Sequence, residues 1–180
     1  MNIVLIGYRA TGKSTVARLL AQKMGWNWVD LDVEIERRAA KPIAQIFAED
    51  GEPAFRDWES QVVADFCKQS RWIIAAGGGA PLREENRRVM RASGKVVWLT
   101  ASPETIHCRM STDPTTGLRR PNLTSQGGLD EIIQLLGKRE PIYRETADWI
   151  VDTEGKSPDA VVQEILNHIR PIMDQMGVHL

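Results

Sequence analysis

The sequence predicts an α/β fold, a parallel sheet with helices on both faces, and three observations predict it. Five short apolar runs of strand length recur along the chain, at 2–6, 27–31, 72–76, 95–99 and 149–152. Stretches with apolar residues at helical spacing lie between them, and the first run leads through a glycine-bearing turn directly into one. Runs apolar on both faces suit buried parallel strands, and strand–helix alternation suits crossover connections.

The elements follow in order. NIVLI at 2–6 is the first strand and TVARLLAQKM at 15–24 the first helix, with NWVDL at 27–31 the second strand. FRDWESQVVADFCKQ at 55–69 is helical, WIIAA at 72–76 the third strand, and GGGAP at 77–81 a turn. REENRRVMRA at 83–92 and PETIHCRM at 103–110 are helices on either side of the fourth strand, KVVWL at 95–99. Residues 111–128, rich in Gly, Pro, Ser and Thr, form a long loop with Arg119 and Arg120 near its centre. A loop of more than about 12 residues in a compact domain is characteristically functional, and paired cations favour a mobile lid, here 112–124. A later helix carries Arg139, WIVD at 149–152 is the fifth strand, and Pro158 opens a final helix whose Val161, Ile165, Leu166, Ile169 and Met173 share one face.

Composition bounds the reading. At roughly 100–200 residues per domain, 180 residues make one domain, 1–180, and 42% hydrophobic residues supply a core that needs no disulfide or metal staple. A formal net charge of −1 gives no general field for nucleic acid or an anionic membrane, so neither is expected as a partner. Any bound anion must be gripped locally. Cys67 and Cys108 lack metal or redox spacing and read as free, partly buried thiols, and His107, His168 and His179 lack partners at ligand spacing. No stretch approaches the roughly 20 apolar residues that span a bilayer, and the N-terminus has no signal-peptide pattern. The expectation is a soluble, cytoplasmic monomer.

Gly7-Tyr8-Arg9-Ala10-Thr11-Gly12-Lys13-Ser14 matches G-x-x-x-x-G-K-[ST] between a strand and a helix, the context a phosphate-binding loop requires. The glycines let the backbone approach phosphate, N–H groups from Ala10 to Thr15 converge at a helix N-terminus, Lys13 meets the outer phosphates, and Ser14 can hold Mg²⁺. Asp30 and Asp32 end the second strand two residues apart, so both carboxylates can face one cleft. Asp32 has an alternative use as cap of a helix beginning at Val33, a use Asp30 lacks. Tyr8 and Arg9 carry no functional weight.

GYRATGKST, DLD, KPIAQIFAEDGEPAFRDWE, AAGGG, LRRPNL and KREPIYRETAD occur in that order. Together they resemble shikimate kinase, within the nucleoside monophosphate kinase group of P-loop folds. The combination of D-x-D, G-E-x-x-F-R-x-x-E, G-G-G and R-x-P-x-Y-x-E-x-A is specific to that family, and the resemblance covers nearly the whole chain. It implies a five-stranded sheet of order 2-3-1-4-5 and transfer of the γ-phosphoryl group of ATP to the 3-hydroxyl of shikimate, with Mg²⁺. The acceptor region spans about 32–60. By the resemblance Asp32 contacts the reacting hydroxyl, Arg56 and Arg139 hold the carboxylate, and Gly78 and Gly79 offer backbone contacts to ring hydroxyls. Lys13 and the lid's Arg120 supply positive charge to the transferring group, and Ser14 and Asp30 hold the metal, Asp30 through water. Arg109, Lys156 and Pro158 fall on the adenine side. Asn122 departs from the family's R-P-L-L in the lid.

Two other readings stay open on residues alone. A kinase of the same fold acting on gluconate or a nucleoside monophosphate would want a different pocket, since two arginines beside three glycines suit a carboxylated ring. A P-loop switch would need neither D-x-D nor G-G-G, and no N-K-x-D guanine motif is present.

Overall fold

A computed structural model describes residues 1–112 and 128–175. Its sheet is parallel and five-stranded, in the order β2-β3-β1-β4-β5. The strands are β1 Asn2–Ile6, β2 Asn27–Asp30, β3 Trp72–Ala75, β4 Gly94–Thr100 and β5 Trp149–Asp152. Around them lie α1 Lys13–Met24, α2 Leu31–Ala39, α3 Ile43–Glu49, α4 Gly51–Cys67, α5 Glu84–Ser93, α6 Pro103–Thr112, α7 Gly128–Thr146 and α8 Pro158–Gln175.

Alternation along the central strands splits the core into two layers, because successive strand side chains face opposite ways. Ile3 and Leu5 of β1 pack with Val16 and Leu20 of α1 and Val162 and Ile165 of α8. Val4 and Ile6 face the other layer, with Ile35 of α2, Phe55 and Val62 of α4 and Met90 of α5. Each fully buried aliphatic side chain contributes about 1.5–3 kcal/mol of transfer free energy, so the three inner strands are the best-anchored part of the fold. Strand burial differs from the expectation at the edges. β1 is buried throughout, whereas Trp28 of β2 and Ile150 of β5 are exposed, because this strand order leaves β2 and β5 with one neighbour each.

Two helices, α2 and α3, occupy the stretch between the second strand and the helix expected from residue 55, and α4 begins earlier, at Gly51. The second strand stops at Asp30 rather than residue 31. Cys67 is buried but Cys108 is exposed, so only one thiol is sheltered. No helix among the described residues is long and apolar enough to cross a membrane. The expected lid, 112–124 with Arg119, Arg120 and Asn122, lies outside the described residues except for Thr112.

Candidate active site

The phosphate loop leaves β1 and enters α1. Gly7 has φ 138, and a Cβ there would collide with the Leu99 carbonyl of β4. Gly12 has φ 88 and caps α1. Both are conformations that side-chain-bearing residues avoid, so glycine is required on geometric grounds. Ala10 adopts φ 60 without that freedom. Thr11 Oγ1 donates to the Tyr8 carbonyl at 2.8 Å, pinning the loop from within. Lys13 Nζ donates to the carbonyls of Gly7 at 2.9 Å and Tyr8 at 2.7 Å, which lays its charge across the loop's mouth. Ser14 and Thr15 stand exposed in the first turn of α1.

The two aspartates divide their work differently from the expectation. Asp30, not Asp32, is the N-cap of α2: its Oδ1 accepts from the N–H of Asp32 at 3.0 Å and of Val33 at 3.4 Å. Its Oδ2 accepts the Ser14 hydroxyl. The helix begins at Leu31, directly after the strand, so Asp32 belongs to a helical turn and strand alternation does not align the pair. A hydroxyl and a carboxylate side by side are hard oxygen donors of the kind Mg²⁺ takes beside substrate phosphates. The residues present therefore fit the ion. Among the described residues no cluster of three or more His, Cys, Asp or Glu forms a protein cage for a metal.

The turn after β3 gathers the other polar groups. A Cβ at Gly77 would lie 2.7 Å from Asp32 Oδ1 and 2.8 Å from Glu59 Oε1. At Gly78 it would lie 3.4 Å from the Gly7 carbonyl oxygen, 3.6 Å from Arg139 Nη1 and 3.7 Å from the Arg9 amide nitrogen. At Gly79 it would fall within the Arg56 guanidinium, 2.7 Å from Cζ. Gly77 thus makes room for Asp32 of α2 and Glu59 of α4, and Gly79 for Arg56, while Gly78 lies at ordinary contact distance from Arg139 of α7 and the phosphate loop. The structure brings Asp32, Arg56, Gly78, Gly79 and Arg139 into one neighbourhood.

Arg56 is held by two carboxylates, Glu59 at 2.7 Å and Glu52 at 3.1 Å. Burial opposes its charge, but these partners outweigh that and its pKa is raised. Glu59 is 1% exposed; burial raises its pKa, and the Arg56 charge pulls the other way. The sequence reading gave Glu59 no role of its own, although it stands three residues after Arg56 in the quoted motif. Arg139 is buried on α7, its guanidinium 5.6 Å from the Tyr8 ring centroid.

Tyr8 and Arg9, given no weight from sequence, are both buried. Arg9 pairs with Glu131 of α7 at 3.0 Å, tying the phosphate loop to that helix. Tyr8 packs with Ala101, Ile106 of α6 and Ile132 of α7. No local signal announces a pair 122 residues apart.

Of the residues expected near the adenine, Arg109 donates through Nη2 to the Thr153 carbonyl at 2.9 Å and through Nη1 to the Thr153 hydroxyl at 3.0 Å and the Ala10 carbonyl at 3.4 Å. It bridges the phosphate loop and the loop after β5. Lys156 pairs with Glu164 at 2.7 Å, and Pro158 starts α8. Among the described residues, Arg109 is the one of these three that hydrogen-bonds the phosphate loop, at the Ala10 carbonyl.

Comparison with known proteins bears on this arrangement. The family described as shikimate kinase matches residues 9–170. A shikimate kinase of Rhodopirellula baltica is 44% identical over 165 residues, 92% of this chain and 88% of that protein. One of Persephonella marina is 41% identical over 169 residues, 94% of this chain and 99% of that protein. A solved structure of the Acinetobacter baumannii shikimate kinase in complex with shikimate superposes with a TM-score of 0.87 at 34% identity, covering 93% of this chain and 92% of that one.

Proposed function

The chain belongs to the shikimate kinase family, and from that membership and the geometry above we propose how it phosphorylates the 3-hydroxyl of shikimate at the expense of ATP. The observation that carries the proposal is the glycine turn at 77–79, which faces Asp32, Arg139 and Arg56 in succession while Gly78 touches the phosphate loop. A carboxylated ring with vicinal hydroxyls is the acceptor such a wall suits. Guanidinium forks bind a carboxylate bidentately, and side-chain-free backbone admits a polyol closely. Family membership displaces the gluconate, nucleotide and switch readings.

In this reading Arg56 and Arg139 hold the acceptor's carboxylate and Gly78 and Gly79 its ring hydroxyls. Asp32 orients the attacking hydroxyl and takes its proton late, since a loose phosphoryl-transfer transition state leaves little basicity to supply early. Lys13 moves from its loop carbonyls to the β- and γ-phosphates, and Arg120 adds a second positive charge at the transferring group. Ala10, Thr11, Gly12, Ser14 and Thr15 supply the phosphate cradle, and Arg109, Lys156 and Pro158 border the adenine. Ser14, with Asp30 through water, would hold Mg²⁺, which neutralises phosphate charge when bound. The whole chain works as one catalytic unit, monomeric and cytoplasmic.

The test is ADP release by the purified protein with ATP and Mg²⁺, run in parallel against shikimate, gluconate, AMP and CMP. Turnover with shikimate alone is expected. Turnover with any other acceptor at a comparable rate overturns the assignment, and light scattering at twice the monomer mass overturns the monomer.

A further inference from the structure

Tyr143 stands on α7 one helical turn beyond Arg139, fully buried, its ring centroid 5.8 Å from that of Trp98 on β4. Its hydroxyl donates to the carbonyl of Gly78 at 2.6 Å, across 65 residues of sequence. The neighbouring glycines are satisfied locally: the Gly77 carbonyl accepts from Ala80 N–H at 3.0 Å and the Gly79 carbonyl from Leu82 N–H at 2.9 Å. The middle carbonyl is thus tied to a distant helix, and that helix is the one that carries Arg139.

We propose that Tyr143 is a positioning residue for the phosphoryl acceptor, fixing the middle glycine of the 77–79 turn to the helix that bears Arg139. The inference rests on the acceptor reading above. Three successive glycines have no side chains to pack and the largest conformational freedom to lose, so their placement depends on backbone hydrogen bonds. Because a trans peptide is planar, fixing the Gly78 C=O also fixes the Gly79 N–H, which points the opposite way. One phenol therefore governs both the direction of a backbone donor and the spacing between turn and guanidinium. The guanidinium lies beside the same hydroxyl: burial pushes the Tyr143 pKa up to about 12 while Arg139 draws it down. The hydroxyl accordingly keeps its proton, and its role as donor, throughout any ordinary assay pH.

Tyr143→Phe keeps the ring against Trp98, deletes the donor and leaves the Gly78 carbonyl unpaired. Its KM for shikimate should rise about tenfold, because the released glycine turn must be re-ordered each time the acceptor binds, with the KM for ATP within twofold of the parent. Calorimetry should show the same split between shikimate and ADP. A lowered Tm with both affinities unchanged makes the residue merely structural and overturns the inference. Should the variant not fold, proton NMR of the parent decides: the sheltered Tyr143 hydroxyl resonance is expected to shift on addition of shikimate and not of ADP, and a resonance insensitive to shikimate overturns the inference. Failure of the parent itself to phosphorylate shikimate would instead sink the acceptor reading, so the two failures are distinguishable.

Discussion

Gly79→Ala isolates the contact between the glycine turn and Arg56. The backbone of Gly79, φ −94 and ψ −12, is one that alanine adopts without strain, so the substitution perturbs through its methyl group alone. That methyl would sit 2.7 Å from Arg56 Cζ and from Nη2. The obstructed atoms are the tip of a flexible side chain, so the fold survives and the guanidinium swings aside. Arg56 then loses its pairing with Glu59 and, with it, the alignment proposed above for the acceptor carboxylate. A hydrogen bond to a charged group contributes about 1.5–3 kcal/mol, which at about 1.4 kcal/mol per decade is roughly a 10- to 150-fold rise in the KM for shikimate. Arg56 pairs with Glu52 and Glu59 of its own helix, so the KM for ATP should stay within twofold. Coupled ADP-release kinetics with each substrate varied in turn measure both constants, and thermal unfolding checks the fold. An unchanged KM for shikimate, in a protein of unchanged Tm, would refute the claim that Gly79 is there to admit Arg56.

Three further outcomes are expected. Lys13→Ala should abolish turnover while circular dichroism and Tm stay near the parent's, because Lys13 stands at a partly exposed site and donates to carbonyls of the loop rather than packing in the core; loss of the folded state would make it structural. Glu34, beside Asp32 in the first turn of α2, has its carboxyl held down from 4.5 to about 2, first by its hydrogen bond to Arg37. A depressed carboxylate adds stability that is present above its unfolded pKa and is lost as pH falls from about 4.5 towards 2. Nominally about 3 kcal/mol, this shrinks to about 1 kcal/mol because Arg37 is exposed, so Glu34→Gln should lower Tm at pH 7 and much less at pH 2.5, and an equal deficit at both would disprove the ion-pair origin. Ala10→Gly should raise Tm by about 2–4 °C, since the left-handed backbone at Ala10 costs an alanine about 1 kcal/mol; an unaltered or lower Tm would show the loop unstrained.

The strands were legible because the five apolar runs are local signals, and the phosphate loop because its spacing encodes a geometry. What escaped was what depends on position in the assembled sheet. NWVDL and WIVD read like the central runs, yet β2 and β5 are edges, and only strand order decides that. In DLD the sequence favours Asp32 as the capping residue, yet Asp30 caps, because the helix starts without a linker after it. Glu59 carries no local sign of burial; it is buried because α4 lies against the turn after β3. Arg9 and Tyr143 find partners 122 and 65 residues away, which no periodicity reveals.

The strand order also orders the site. In an open parallel sheet, ligands bind beyond the carboxyl ends of the strands, and here each end delivers one part. β2 ends in Asp30 and leads to Asp32, β3 in the glycine turn, β1 in the phosphate loop, β4 beside Gly7 through Leu99, and β5 in the Thr153 loop that Arg109 grips. Read across the sheet as β2-β3-β1-β4-β5, that sequence runs, under the function proposed above, from the groups assigned to the acceptor through the phosphate loop to those assigned to adenine. Donor and acceptor halves therefore meet where β1 and β3 lie side by side, with Leu5 in register with Ala75. Gly78 is where they touch, one face at the Gly7 carbonyl and the Arg139 guanidinium and its carbonyl held by Tyr143. A methyl group at Gly77 would strike the carboxylates of Asp32 and Glu59 and one at Gly79 the Arg56 guanidinium, whereas one at Gly78 would meet its neighbours at ordinary contact distance, so it is the two flanking glycines that have to be free of side chains.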